Sequence, residues 1–151
     1  MQPSRGQPLP APTNNAVYHT YRSDLSQVRA LVLRQARQAG LTEGRANDLV
    51  LAVSEVAANT LRHTRSPGTM AIWHDEDEIV CEIRDAGTIT DPSVGRRKPP
   101  PGASGGHGLW LVRQVCDLVE LRSDETGTVI RMHMAIEPPD LAAGQLPTAG
   151  R

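Results

Sequence analysis

The 151-residue chain has no phenylalanine, and aromatic residues make up 3% of it, so its core has to be mostly aliphatic. Its formal net charge is -1, which excludes a strong overall field that would attract nucleic acid or an anionic membrane. No stretch reaches the ~20 apolar residues of a membrane span, and the first residues lack the apolar run of a signal peptide. These absences predict a cytoplasmic protein that contacts neither membrane nor nucleic acid directly.

The chain has two cysteines, Cys81 in a strand-like run and Cys116 late in a helix-like run. Neither belongs to a close-spaced group of cysteines and histidines, which argues against a zinc site. A chain of this size can bury enough apolar surface to fold without disulfide or metal staples. We therefore expect both cysteines to be buried free thiols.

Composition divides the chain into one folded unit, predicted at 16–136, and two segments, 1–15 and 137–151, expected to be disordered tails. Hydrophobic residues repeat at helical spacing in three stretches and alternate, at least weakly, in five. The predicted elements are, in order, a strand at 16–22, helices at 24–39 and 42–65, strands at 69–74 and 78–85, a helix at 105–117, and strands at 118–124 and 127–134. This order predicts an α/β (α+β) two-layer sandwich, with one mixed β-sheet covered on one face by about three helices.

The first two helices also carry end signals. Ser23 or Asp24 is the predicted N-cap of the first helix, and Gly40 is its stop. Thr42 is the predicted N-cap of the second helix.

Three glycines, Gly105, Gly106 and Gly108, surround His107 at the start of the last helix. Glycines let backbone amides approach an anion, and a helix N-terminus adds a positive dipole, so this stretch could hold a phosphate. The alternative is simply a flexible start to a helix. The stretch follows a long loop at 88–104 without hydrophobic periodicity, and such loops in small domains are functional or disordered.

A strand predicted to be buried ends in Asp85-Ala86-Gly87. The Asp85 carboxylate could accept a hydrogen bond from an exocyclic amine such as N6 of adenine, and Gly87 would let a flat ring approach the backbone. The alternative is an ordinary turn at the end of a strand, where both residue types are common.

Glu55 and Asn59 lie four residues apart on the second helix, so they occupy the same helix edge. The Asn59 carboxamide oxygen suits Mg2+, and Glu55 could accept a proton from an attacking hydroxyl or water. Arg62 and His63, one turn later, lie where a phosphate chain could be met. The alternative is a solvated helix edge with one polar pair.

The order of these features is more specific than any one of them. In this order the chain resembles the GHKL (Bergerat) ATP-binding fold, and within it the anti-sigma regulatory factors that are Ser/Thr protein kinases. The segments that carry the resemblance are SEVAANTLRHT as the N box, EIRDAG and GGHGLWLVRQVCDLVELRS as the two glycine boxes, and TGTVIRMHM as the closing strand.

The resemblance implies ATP and Mg2+ as cofactors and assigns roles to residues. Glu55 would be the catalytic general base for a partner's serine or threonine hydroxyl, Asn59 would bind Mg2+, and Asp85 would bind adenine N6. The other implied ATP-binding residues are Arg62, His63, Gly87, Gly105, Gly106, His107, Gly108, Leu109 and Thr128. The loop at 88–104 would be the ATP lid. The implied partners are a sigma factor and a STAS-type anti-sigma antagonist, with the kinase acting as a homodimer.

One residue departs from the family pattern, because Ile89 replaces the second glycine of the first glycine box and a β-branched residue restricts a hinge. Three other interpretations stay open. The chain could be a binding module whose partner affinity is gated by ATP without phosphotransfer. It could be the ATPase domain of a histidine kinase, although asparagine is common there at the position of Glu55. It could also be an α/β domain that binds no nucleotide.

Overall fold

The structure is a computed structural model, and it describes residues 9–63, 66–87 and 107–137. The elements are β1 (Val17–Tyr21), α1 (Ser26–Ala39), α2 (Glu43–His63), β2 (Gly68–His74), β3 (Glu78–Asp85), α3 (His107–Val115), β4 (Leu118–Asp124) and β5 (Gly127–Ala135). They follow the predicted order. The predicted lid at 88–104 and the tail segments 1–8 and 138–151 lie outside the described residues.

The strands form one five-stranded sheet in the order β1-β2-β3-β5-β4, and each neighbouring pair within the described residues is antiparallel. This corrects the prediction of a mixed sheet. A strand–helix–strand connection often joins parallel neighbours, and β3 and β4 do point the same way. They do not pair, however, because β5 lies between them. The predicted two-layer α+β architecture is confirmed, with three helices packed against the sheet.

Two predicted helix signals, Gly40 and Thr42, are confirmed, but the N-cap of α1 is Leu25 without a side-chain cap hydrogen bond, not the predicted Ser23 or Asp24. The Asp24 carboxylate accepts the backbone N–H of Ser26 at 2.9 Å, and Gly40 ends α1 with φ at 98°. The Thr42 hydroxyl accepts the backbone N–H of Arg45 at 3.2 Å, so it caps α2.

The core lies between the helices and one face of the sheet, and it is aliphatic because the sequence offers few aromatic residues. Alternation in the strands sends every second side chain into it. The core residues of β3 and β5 are Ile79, Cys81, Ile83, Ile130, Met132 and Met134, as predicted. Among the described residues, no helix is long and apolar enough to cross a membrane.

Both cysteines are buried free thiols, which confirms the prediction. Burial raises the pKa of the Cys81 thiol far above its ordinary value, and burial also raises the pKa of Cys116 to about 12. Because the thiolate is the reactive form, neither side chain is a nucleophile at neutral pH in the folded protein.

The sheet face away from the helices carries a buried ion pair. Glu82 of β3 and Arg131 of β5 are 2% and 4% exposed, and Arg131 Nε donates to Glu82 Oε1 at 2.7 Å. Arg84 Nε donates to the second carboxylate oxygen at 2.8 Å, and the Arg131 guanidinium lies 5.0 Å from the ring centre of Trp73. The pair is buried with hydrogen bonds to both carboxylate oxygens, which is the arrangement that a buried carboxylate requires.

Residues 9–16 lie over this ion pair. The Arg131 guanidinium donates to the carbonyl of Pro10, and Asn15 Nδ2 donates to the carbonyl of His74 at 3.0 Å. Ala16 packs against a small apolar cluster that contains Trp73. These polar and apolar contacts place Pro10, Asn15 and Ala16 against the sheet.

Candidate functional site

The first turn of α3 lies against the polar pair of α2. Glu55 and Asn59 are half-buried on the same edge of α2. A Cβ placed on Gly108 would lie 2.9 Å from Glu55 Oε1 and 3.5 Å from Asn59 Nδ2. The absence of a side chain at Gly108 therefore lets the helix start approach both polar groups. The structure brings together the N box and the described part of the second glycine box, as the sequence predicted.

Asp85 lies at the end of β3 with both carboxylate oxygens engaged. Its Oδ1 accepts the backbone N–H of Gly87 at 2.7 Å, and its Oδ2 accepts the hydroxyl of Thr60 at 2.9 Å. Thr60 directly follows Asn59 on α2. The aspartate predicted to read the base is thus hydrogen-bonded to the residue that follows the predicted Mg2+ ligand on α2.

Thr128 lies opposite Asp85 in the β3–β5 register and is also hydrogen-bonded to Gly87. Its hydroxyl donates to the carbonyl of Gly87 at 2.6 Å, so the hydroxyl of Ser123, 2.8 Å away, donates to Thr128. Gly127 has φ at +144°, and a Cβ there would lie 2.2 Å from the carbonyl oxygen of Asp85. The β4–β5 turn can close on Asp85 because residue 127 is glycine.

A buried phenol lies next to these groups and was missed by the sequence analysis. Tyr21 is 2% exposed, and burial raises its pKa to about 12; the Asp85 charge adds to this rise while the Thr60 hydroxyl opposes it. Gly68 makes room for it, since a Cβ at residue 68 would lie 2.3 Å from the phenol oxygen. Thr60 was also missed. The sequence did contain a signal for it, because Thr60 is a hydroxyl residue within the apolar stripe of α2, and a buried hydroxyl needs a hydrogen-bond partner.

Arg62 occupies the same edge as the polar pair, and its guanidinium donates to Asn59 Oδ1. This is the oxygen atom predicted to bind Mg2+. His63 is the last residue of α2 and His107 is the first of α3, but their side chains lie outside the described part, as do Gly105 and Gly106.

Leu109 is buried in the core, so its side chain does not face a ligand. Its backbone N–H, in the first turn of α3, is the group that could meet a phosphate.

The residues present fit a nucleotide with a magnesium ion. The described residues hold no group of three or more His, Cys, Asp or Glu side chains that could bind a metal alone. Mg2+ is commonly bound by one or two protein oxygens together with substrate phosphates, which matches a single carboxamide at Asn59 with Glu55 one turn away. Arg62 donates to that carboxamide oxygen, which has a second lone pair that could bind Mg2+. The first backbone amides of α3, which has Gly108 in its first turn, are groups that can bind a phosphate.

A cavity of about 510 Å³ borders Asp85 from the other side of the sheet. Its floor includes Thr69, Arg84, Val129 and Arg122, which stand side by side in register across four strands. Alternation places these residues on the face away from the helices. The same cavity is also lined by Asp85, Ser123 and Thr128 at the end of the sheet.

Comparison with known proteins agrees with this geometry. The Histidine kinase-like ATPase domain family matches residues 18–134 of the chain. The chain therefore belongs to this family of ATPase domains, which confirms the resemblance to the GHKL fold and implies ATP binding. None of the curated proteins matches it.

Among solved structures, the chain is similar to the crystal structure of the RsbU and RsbW domains of Rv1364c from Mycobacterium tuberculosis, with a TM-score of 0.60 and 17% identity. The match covers 85% of this chain and 34% of that chain. At this identity the similarity establishes the fold and nothing finer.

Proposed function

We propose that the protein is an ATP-binding anti-sigma regulatory factor that phosphorylates a serine or threonine of a STAS-type antagonist and sequesters a sigma factor. The observation that carries this proposal is the placement of Gly108 against Glu55 and Asn59, with Asp85 joined to the same helix through Thr60. A carboxylate, a carboxamide, a helix N-terminus and a base-reading aspartate thus surround one end of α2. The RsbW domain in the similar solved structure supports the choice of this branch of the family.

The base-binding part consists of Asp85, Gly87 and Thr128. A carboxylate accepts hydrogen bonds and donates none, so Asp85 favours a base that presents an amino group, as adenine does at C6. Gly87 and Thr128 are hydrogen-bonded to each other, which fixes the backbone beside the space for the ring. This part selects the nucleotide and performs no chemistry.

The catalytic part consists of Glu55 and Asn59. In the proposed reaction the hydroxyl oxygen of the partner attacks the γ-phosphorus of the substrate ATP, the bond to ADP breaks, and Glu55 accepts the hydroxyl proton. Asn59 would hold Mg2+, which when bound neutralises charge on the triphosphate. Arg62 and the first backbone amides of α3 would bind phosphate oxygens.

The proposed partners and setting follow from the same family branch. The kinase would act as a cytoplasmic homodimer that binds a sigma factor, and the antagonist would carry the phosphorylated side chain. The two domains named together in Rv1364c support a place in regulation through protein partners.

Glu55→Gln tests the proposed chemistry. It keeps the size of the side chain and removes the base, so we expect phosphotransfer to fall by roughly 10²- to 10⁴-fold. The measurements are transfer from radiolabelled ATP to candidate STAS antagonists and ATP affinity by isothermal titration, which should stay within about threefold of wild type, or less than 1 kcal/mol. The matched control is Glu76→Gln in the β2–β3 turn, which removes the same charge far from the site.

The outcomes separate the alternatives. Phosphotransfer by Glu55→Gln at the wild-type rate would overturn the role of Glu55. ATP binding without transfer to any antagonist would favour a nucleotide-gated binding module. An acid-labile phosphorylated product would indicate histidine as the acceptor and favour a histidine-kinase type, because phosphoserine and phosphothreonine survive acid. Failure to bind ATP would refute the proposed function.

A further inference from the structure

Thr60 is a hydroxyl residue in the buried stripe of α2. It is 3% exposed and shares this stripe with Val53, Val56 and Ala57, which are each at most 2% exposed. Its hydroxyl oxygen lies 2.9 Å from Asp85 Oδ2 and 3.3 Å from the carbonyl oxygen of Val56. A buried hydroxyl with a carboxylate at the shorter distance donates to that carboxylate, because charged acceptors give the stronger hydrogen bond.

We propose that Thr60 is a positioning residue that fixes the Asp85 carboxylate and thereby sets the preference of the site for a 6-aminopurine base. This inference rests on the proposed function, since it assumes that Asp85 reads the base. Thr60 itself contacts Asp85, not the nucleotide.

The argument begins with the rotational freedom of a carboxylate. Asp85 is half-buried at the end of β3, and its side chain can rotate about two torsion angles. Both angles have to be fixed if the carboxylate is to accept a hydrogen bond from one direction. The Gly87 N–H holds Oδ1 from the turn that follows β3, and the Thr60 hydroxyl holds Oδ2 from α2. With both anchors, each oxygen keeps acceptor capacity in a set direction. With Gly87 alone, the plane of the carboxylate can turn about the remaining hydrogen bond.

The second step concerns the packing around Thr60. The phenol of Tyr21 lies close enough for the Thr60 hydroxyl and the Asp85 charge to affect its pKa, and Gly68 closes the other side of that ring. The hydroxyl of Thr60 is therefore enclosed and cannot be replaced by bulk water without rearrangement. Valine has the shape of threonine, so Thr60→Val removes the hydrogen bond while it keeps the packing.

The test is the affinity of purified wild type, Thr60→Val and Thr60→Ser for two probes by isothermal titration with Mg2+. One probe is ATP, and the other is purine riboside 5′-triphosphate, which lacks the 6-amino group. We expect Thr60→Val to bind ATP about tenfold more weakly, because a turned Asp85 carboxylate would lose most of its hydrogen bond to the 6-amino group, and one hydrogen bond to a charged group contributes about that much. Its affinity for the probe without the amino group should stay within about twofold of wild type, because that probe makes no hydrogen bond to Asp85. Thr60→Ser keeps the hydroxyl and should restore the preference for ATP.

Thr69→Val is the matched control, since it removes a hydroxyl on the other face of the sheet, in the row that lines the outer cavity. It should leave both affinities unchanged. Equal weakening of both probes by Thr60→Val would indicate a purely structural role and overturn the proposal, as would an unchanged ATP affinity. If the wild-type protein binds neither probe, the proposed function itself fails. If the wild-type protein binds ATP and Thr60→Val binds it equally well, only the role of Thr60 fails.

Discussion

Gly108→Ala is expected to reduce catalysis while leaving the fold intact. The added methyl group would lie 2.9 Å from Glu55 Oε1, 3.6 Å from Glu55 Cβ and 3.5 Å from Asn59 Nδ2. Real Cβ atoms do not approach a neighbour closer than 3.0 Å, so the Glu55 carboxylate has to move. That oxygen is the free end of a flexible side chain, which can rotate away at little cost in stability.

The two effects of this substitution have different magnitudes. Alanine stabilises a helix over glycine by up to about 1 kcal/mol, and by less in the first turn. The contact with Glu55 offsets part of this gain, so we expect the free energy of unfolding to change by less than about 1 kcal/mol. Misplacing a catalytic group by ~1 Å can cost roughly 100-fold in rate. We therefore expect phosphotransfer to fall between about 10- and 100-fold.

The assays are urea unfolding followed by circular dichroism and phosphotransfer from radiolabelled ATP. Gly44→Ala is the matched control, because Gly44 is the second residue of α2 as Gly108 is of α3, and a Cβ at Gly44 meets nothing within 4 Å. The control should gain stability and keep full activity. Wild-type phosphotransfer by Gly108→Ala would refute the reasoning, and a loss of more than about 2 kcal/mol in stability would show that the contact is rigid rather than flexible.

Three further predictions concern stability. Gly127→Ala should destabilise the protein by at least about 3 kcal/mol in urea unfolding, because φ is +144° and the Cβ would meet backbone of Asp85 at 2.2 Å; unchanged stability would contradict this. Arg131→Met should cost about 3 kcal/mol by leaving Glu82 buried with one partner fewer, and the double variant Glu82→Gln/Arg131→Met should recover most of that loss. Burial raises the pKa of the Cys116 thiol from 9.0 to about 12, so the contribution of this group to the free energy of unfolding is fully present below pH 9.0 and is lost as the pH rises toward about 12. Cys116→Ala should therefore flatten the fall in unfolding free energy over that range, as measured by urea unfolding at a series of pH values.

Local signals in the sequence predicted most of the fold. Gly40 and Thr42 mark helix ends through contacts that span only a few residues, and they do so in the structure. The predicted start of α1 was one or two residues too early, since its N-cap is Leu25. The two hairpins were also predictable, since alternation and turn residues act over the same short range. The position of β5 between β3 and β4 was not, because neither hairpin specifies which of its edges meets the other.

Long-range polar contacts were the other part that sequence could not supply. Alternation places Glu82 and Arg131 on the sheet face away from the core, but it does not indicate that Pro10 contacts Arg131 on that face. In the candidate site, Glu55 and Asn59 were found because their helical spacing is itself the signal. Thr60 was not found, since a threonine in an apolar stripe looks like a tolerated core residue until its partner, 25 residues away, is known.

The six residues from Glu55 to Thr60 organise both parts of the candidate site. Glu55 and Asn59 face Gly108 of α3, whereas Thr60, one position further, faces Asp85 of β3, because each residue of a helix is turned by about 100° from the one before it. The distance between the proposed base-reading carboxylate and the proposed catalytic pair is therefore set by one helix packed on the sheet. Sites held on regular elements keep their geometry better than sites held on loops. If the proposed function holds, the spacing between the base and the reacting phosphate thus depends on how α2 packs against the sheet.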